Sequence, residues 1–180
     1  SAFGESTKNS DEKGLYIGME SKINRSWTFV GYFDSFSFPW LSYKTDAPSY
    51  GNEWLAQLYY KPSKKLQIYA RYRKEEKKEN LNLDLQGIDG LIDRSRTYFR
   101  VHSSVKISSF ITLKNRLEVS RYELIGTLED RGVLLYQDVV FKHDQIPITI
   151  TGRFAMFDTD SYNSRIYAYE SDLLYSYSIP

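Results

Sequence analysis

The chain has 180 residues, of which 16% are aromatic and none is cysteine, and its 24 basic and 23 acidic residues give a net charge of +1. The lack of cysteine excludes a disulfide framework and a thiolate metal site or nucleophile, and the near-zero charge excludes a whole-chain field directed at nucleic acid. No apolar run reaches the roughly 18 residues of a transmembrane helix, although strands of about 10 alternating residues also cross membranes.

Two-residue alternation of apolar and polar side chains recurs along the chain and predicts strands throughout. Residues 1–14 are polar and are predicted to form an N-terminal segment or loop, whereas residues 15–180 are predicted to form one β-barrel region. The first four predicted strands are 15–22, 27–36, 53–61 and 66–74. The charge run RKEEKKEN at 73–80, which has mixed signs and no interleaved aromatic residue, favours a solvated loop apex over nucleic-acid binding.

The second half of the chain predicts further strands at 96–107, 110–122, 133–142, 148–157 and 165–179. The strand at 110–122 is the clearest, because Ile111, Leu113, Leu117 and Val119 alternate with polar and charged residues. The last strand places tyrosine at every second position over much of its length. The sequence therefore predicts an all-β, antiparallel up-and-down meander of about nine strands.

The predicted connections alternate between short turns and longer polar segments. Short turns are predicted near Asn24, Pro62, Ser108 and Gln145, and longer connections begin at Ser37, Glu75, Leu124 and Asp158. This pattern is typical of transmembrane β-barrels, which have short periplasmic turns and longer extracellular loops. Because bacterial single-chain barrels have even strand numbers, nine strands indicate an incomplete part of a larger barrel.

A membrane barrel points its polar side chains into the lumen and its apolar side chains towards lipid. The side chains predicted to face the lumen are Arg71, Arg73, Lys114, Arg116, Glu118, Asp138 and Glu170. Aromatic side chains at strand ends suit a bilayer interface, where the ring is apolar and the polar tip stays wet. The aromatic residues predicted there are Trp27, Trp54, Tyr72, Tyr167, Tyr169, Tyr175 and Tyr177.

Candidate catalytic and metal-ligating groups are few. His102 beside Ser103 and Ser104, or His143 beside Asp144, lacks the spacing that combines a base, an orienting acid and an oxyanion donor. The segment DTDSYNS at 158–164 lacks the glycine and terminal glutamate of a helix-flanked calcium loop. No catalytic, cofactor-binding or metal-ligating residue is therefore predicted, and the chain is predicted not to be an enzyme.

Five stretches of the chain are distinctive as blocks: FDSFSFPWLSYKTDAPS, EWLAQLYYKPSKKLQIYARYR, FITLKNRLEVSRY, GVLLYQDV and RFAMFDTDSYNSRIYAYESDLLYSYSIP. Together they resemble the C-terminal outer-membrane barrel region of Bacteroidetes helix-hairpin-helix domain-containing proteins. In that family a short periplasmic helix-hairpin-helix segment precedes the barrel, and the pattern continues past the SIP motif into a closing strand. This chain has no helix-hairpin-helix motif, so the family's presumed DNA contact is not transferred to any residue.

The resemblance implies a bacterial outer-membrane location and the lipid bilayer as a partner, together with other outer-membrane proteins. It implies a non-enzymatic pore, transport or assembly component, linked to DNA uptake only through a segment outside this chain, and no direct nucleic-acid site. One alternative is a soluble lipid- or ligand-binding barrel of lipocalin type. Another is a structural subunit or client of a larger outer-membrane complex, and the last is a barrel hydrolase.

Overall fold

The computed structural model describes residues 13–39, 48–80, 91–124, 128–143 and 145–168. The strands are β1 (Lys13–Lys22), β2 (Trp27–Phe38), β3 (Ser49–Ser63), β4 (Leu66–Asn80), β5 (Leu91–Lys106), β6 (Ile111–Leu124), β7 (Leu128–Lys142) and β8 (Thr149–Thr159). They form one antiparallel sheet in the order of the chain, and a short 3₁₀ helix follows at Tyr162–Ser164. The predicted all-β, up-and-down meander is confirmed.

The described part contains eight strands, one fewer than predicted. The ninth predicted strand, 165–179, is wrong over its first four residues, which belong to no strand, and residues 169–180 lie outside the described part. A capping box explains the difference, because Ser161 Oγ accepts a hydrogen bond from Asn163 N and Ser164 Oγ accepts one from Ser161 N. This local pairing forms a 3₁₀ turn within the predicted connection, directly before the residues where the strand was expected.

Most strands are longer than predicted at the end of the sheet opposite the short turns. β4 continues to Asn80, so the charge run predicted as a loop apex is the second half of a strand. Cross-strand ion pairs of the added residues account for this, including Glu75 with Arg94 and Lys78 with Asp93 at 3.2 Å. A run of charged residues alone disfavours a strand, but opposite charges on the neighbouring strands stabilise the pairing of this half of β4.

Side chains that accept backbone hydrogen bonds shape the short turns. Asn24 Oδ1 accepts from Ser26 N at 2.8 Å and from Trp27 N at 3.0 Å, and Ser108 Oγ accepts from Phe110 N at 3.2 Å. Such side chains replace the backbone partners that a strand would supply. The predicted strict alternation of short and long connections is wrong at one place, because only three residues separate β6 from β7.

The two faces of the sheet differ in burial. On β6, Arg116, Glu118 and Ser120 are buried, while Leu117 and Val119 between them are exposed. We call the face that carries Glu118 the inner face and the face that carries Leu117 the outer face. Apart from the short 3₁₀ helix, no second layer of secondary structure covers either face in the described residues, so the asymmetry indicates a sheet curled around its inner face.

The sheet is open at β1 and β8, each of which pairs with one neighbour among the described strands. β1 is exposed on both faces, and on β8 the inner-face residue Phe157 is 79% exposed. β1 also begins at Lys13, slightly before the predicted boundary between the N-terminal segment and the barrel region. No helix in the described part is long and apolar enough to cross a membrane.

Candidate functional site: the charged inner face

The strand register places the predicted lumen-facing side chains on one surface. Those within the described part all lie on the inner face: Arg71, Arg73, Lys114, Arg116, Glu118 and Asp138. Lys114 lies directly opposite Asp138, and Asp138 lies opposite Arg153. The remaining predicted residue, Glu170, lies outside the described residues.

Two forked arginine–carboxylate pairs anchor opposite sides of the inner face. Arg73 Nε and Nη2 donate to the two carboxylate oxygens of Glu53 at 2.8 and 2.6 Å. Arg153 Nε and Nη2 donate to those of Asp138 at 2.7 and 2.9 Å. Buried carboxylates require such partners, because an unpaired charge away from water is costly.

Glu118 is the central carboxylate of the inner face and is 3% exposed. Arg100 Nε and Nη2 donate to its two oxygens at 2.9 Å each, and Arg116 Nε donates to Oε2 at 2.8 Å. One buried carboxylate therefore compensates two guanidinium groups. Arg100 and Arg116 therefore share Glu118 as their hydrogen-bond acceptor.

A further charged cluster, not predicted from the sequence, lies at the far end of the inner face. Glu75 accepts a hydrogen bond from Arg94 and lies 3.1 Å from Lys77 Nζ. Arg94 and Glu75 are both buried. The charges at positions 73, 75 and 77 alternate in sign at every second residue. This pattern could have predicted a strand with one charged face.

The outer face carries an apolar surface that extends from β1 to β8, which we call the outer band. Its exposed apolar side chains are Ile17, Met19, Trp54, Leu58, Tyr72, Phe99, Leu117, Val119, Val133, Leu135, Val139, Phe141, Ile150, Phe154 and Met156. Leu117 and Leu135, which pair across β6 and β7 in the middle of the sheet, are 41% and 45% exposed. Exposed apolar residues in a patch of this extent mark an interaction surface.

Three predicted interfacial aromatic residues, Trp27, Trp54 and Tyr72, lie on the outer face. Trp27 packs against Tyr60 near the short turns, with ring centroids 4.5 Å apart. Trp54 packs against Phe33 towards the opposite end, at 4.3 Å. The two pairs therefore lie at different heights along the strands.

Tyr167 lies on the other side of the sheet from these three rings. Its backbone oxygen accepts a hydrogen bond from Arg116 Nη2 at 3.2 Å, and it lines a cavity over the inner face. The strand that was predicted to carry it outward is not formed at this position. Tyr169, Tyr175 and Tyr177 lie outside the described residues.

Beyond the outer band, towards the longer connections, the outer face becomes charged. This charged rim consists of Lys74, Glu76, Arg121, Glu123, Glu129 and Arg131. Lys74 pairs with Glu76 at 2.5 Å, and Glu129 lies 3.0 Å from Arg121 and 2.8 Å from Arg131. The hydrogen bond from Arg131 is the main cause of a lowered pKa of the exposed Glu129 carboxyl.

The chain after β8 folds back over the inner face as a strap, residues 161–168. Ser161 Oγ donates a hydrogen bond to Asp130, and Ser120 Oγ donates to the backbone oxygen of Ser164. Gly132 lies beneath this contact, and a Cβ at its position would collide with the Ser164 oxygen. The lack of a side chain at Gly132 therefore makes room for the strap.

The described histidines show no catalytic arrangement. His102 stacks on Tyr69 at 5.0 Å, and its Nδ1 has no hydrogen-bond partner among the described residues. His143 Nδ1 accepts from Gln145 N at 3.1 Å and so belongs to a turn. Within the same residues, no group of three or more histidine and carboxylate side chains could hold a metal ion.

A comparison of the chain with protein-family models, with curated proteins and with solved structures finds no match. The resemblance to the barrel region of helix-hairpin-helix proteins stays a prediction. Inference about function therefore depends on the chemistry of the two faces.

Proposed function

We propose that this chain is part of an outer-membrane β-barrel and serves as a non-enzymatic pore, transport or assembly component. The observation that carries the proposal is the inverted distribution of polarity. Glu118 and Asp138 are each 3% exposed on the inner face, while the leucines of the outer band are exposed. A protein surrounded by water normally has the opposite arrangement.

A lipid bilayer is the environment in which both the apolar outer face and the charged inner face are stable. Hydrocarbon contacts the outer band without the free-energy cost that water imposes on an apolar patch of this size. Paired charges on the inner face suit a polar lumen, as in membrane barrels with water-filled or plugged interiors. The ion pairs that join β3 to β4, β5 to β6 and β7 to β8 also hold neighbouring strands together.

The dimensions of the outer band support the same proposal. On β6 the apolar positions run from Ile111 to Val119, about 27 Å along the strand at roughly 3.4 Å per residue. A tilted spanning strand needs about 9 to 11 residues. The charged rim begins two residues later at Arg121, and aromatic pairs lie at different heights along the band.

One row of polar side chains interrupts the outer band, and its members form hydrogen bonds with one another. Asn115 Nδ2 donates to Ser103 Oγ at 3.3 Å, and Gln137 Nε2 donates to Asn115 Oδ1 at 2.8 Å. Polar groups facing hydrocarbon must find partners within the protein. The row is therefore compatible with a lipid-facing surface.

The alternatives fit the two faces less well. A soluble lipid-binding barrel needs an apolar interior, whereas the inner face here carries a network of arginine and carboxylate pairs. Participation in a larger outer-membrane complex is a compatible version of the main proposal, and the open β1 and β8 strands favour it. A link to DNA uptake rests on the resemblance alone.

Membrane association is the direct test of this proposal. We expect the chain, expressed with a bacterial outer-membrane export signal, to remain in the membrane fraction after an alkaline carbonate wash and to need detergent for extraction. A periplasmic soluble protein expressed from the same vector is the control for incomplete lysis. Recovery of a compact, folded monomer without detergent would contradict the proposal.

A further inference from the structure

We propose that the inner face contains a binding site for a phosphate group, formed by Arg71 and Arg100 of the sheet and by Arg165 of the strap. These side chains line one cavity of about 220 Å³ between the sheet and the strap. This site is independent of the proposed function, because the cavity lies on the inner face and is the same whether lipid or water surrounds the outer face.

The first observation is a like-charge pair in the sheet. Arg71 and Arg100 lie directly opposite each other across β4 and β5, on the inner face. Like charges at opposed cross-strand positions destabilise a sheet. Glu118 forms a forked pair with Arg100, but it also accepts hydrogen bonds from Arg116. A bound anion between Arg71 and Arg100 would offset the repulsion that this arrangement creates.

The second observation concerns the partners of Arg71 and Arg165. In the described part of the chain, the hydrogen-bond partner of Arg71 is the neutral side chain of Gln57. Arg165 donates to the backbone oxygen of Tyr162 at 2.7 Å and to the hydroxyl of Tyr167. Both guanidinium groups line the cavity and form hydrogen bonds only with neutral groups among the described residues. Arg73 and Arg100 beside them instead bind carboxylates.

The cavity has the size and polarity of a small oxyanion site. A water molecule occupies about 30 Å³ of liquid, so the space holds a tetrahedral anion and a few waters. The lining includes four arginine side chains and one carboxylate, that of Glu118. Glu53 adds a second carboxylate through its pair with Arg73, and the positive charge still predominates.

A phosphate group matches these donors better than a singly charged carboxylate. Guanidinium groups bind phosphate through two parallel hydrogen bonds, and phosphate has enough oxygens to accept from several arginines. Its charge of about −1.5 to −2 near neutral pH, for a monoester, also suits a site with uncompensated cations. The strap supplies Arg165, so phosphate would join the strap to the sheet.

Isothermal titration of the purified full chain with inorganic phosphate tests the proposal, with chloride at equal ionic strength as the reference. We expect saturable binding to the native protein. Arg71→Gln and Arg165→Gln should each weaken binding about tenfold or more, because each removes charge-assisted hydrogen bonds. Arg131→Gln, which changes an exposed arginine of the charged rim, should leave binding unchanged.

Arg165 lies outside the sheet, so Arg165→Gln tests the site even if Arg71→Gln fails to fold, and circular dichroism verifies each variant. Absence of saturable phosphate binding to native protein, or unchanged binding by folded Arg165→Gln, would overturn the proposal. Tighter binding of glycerol phosphate than of inorganic phosphate supports an esterified phosphate, such as that of a lipid headgroup, and equal or weaker binding supports free phosphate. Acetate binding as tight as phosphate binding would overturn the choice of phosphate.

Discussion

The two faces of β6 and β7 show how one pair of strands can serve two different surroundings. On the inner face, Glu118 is buried and fully engaged by Arg100 and Arg116. One residue away, Leu117 points to the outer face and pairs with the equally exposed Leu135. Burial and apolar character therefore do not coincide in this sheet: its curl buries the polar inner face, while the apolar side chains of the outer face stay exposed.

The largest effect is expected on the inner face. Glu118→Leu should lower the free energy of unfolding by about 3 to 5 kcal/mol, because the buried Arg116 and the partly buried Arg100 lose their shared carboxylate. Urea titration of the purified protein, followed by tryptophan fluorescence, measures this. Glu129→Leu in the exposed rim is the matched control and should cost about 0 to 1 kcal/mol. Equal effects would show that Glu118 is not buried among its partners.

A charge on the outer face should have the next largest effect. In a bilayer, Leu117→Arg should destabilise the protein by about 2 to 4 kcal/mol, because the charge lies inside the outer band, two residues from its centre at Asn115. Ser95→Arg, on the same face at the level of the charged rim, should change stability by about 0.5 kcal/mol or less. Measurement in lipid vesicles is essential, and a similar cost for both variants would argue against a lipid-facing band.

The contact between the strap and the inner face should give a smaller effect. Gly132→Ala inserts a methyl group where the Ser164 oxygen and the Ser120 hydroxyl already lie, and we expect a cost of about 1 to 3 kcal/mol. Gly152→Ala is a matched control in β8, since nothing lies within 4 Å of a Cβ there. Thermal unfolding of both variants measures the difference. If Gly132→Ala is as stable as Gly152→Ala, the strap does not pack as described.

The smallest effect is expected from the polar row on the outer face. Asn115→Ala removes hydrogen bonds to Ser103 and Gln137, and we expect a loss of about 0.6 kcal/mol in a bilayer. Asn115→Asp should lower the free energy of unfolding further, because placing a carboxylate against lipid is more unfavourable than losing the hydrogen bonds of the amide. If the charged variant is as stable as the alanine variant, this row faces water.

The strands with one apolar and one polar face were predictable from sequence. The alternation around Leu117 predicted β6 and the inner-face placement of Lys114, Arg116 and Glu118. The extension of β4 to Asn80 was not predictable from composition, because charge runs usually form loops. Its stabilising partners, Asp93 and Arg94, lie on β5, and only the register brings them within reach.

The first four residues of the last predicted strand, 165–168, form no strand for a related reason. Alternating tyrosines after Arg165 favoured a strand, but Ser161 and Ser164 form a capping box that turns the chain. The turn is further held by Asp130 and Ser120, which are distant in sequence. A local pattern cannot reveal such partners. The cavity between sheet and strap was therefore also beyond prediction, since it needs the strap in place.

Accessibility of adjacent positions tests the central claim most directly, and the absence of native cysteine makes each introduced cysteine unique. A nitroxide attached to Leu117→Cys should contact oxygen far more than a water-soluble nickel chelate when the protein is in lipid vesicles. A nitroxide at Lys114→Cys, on the inner face, should contact oxygen less than the outer label does. Preferential contact of the Leu117→Cys label with the nickel chelate would contradict the account, because the outer band would then face water.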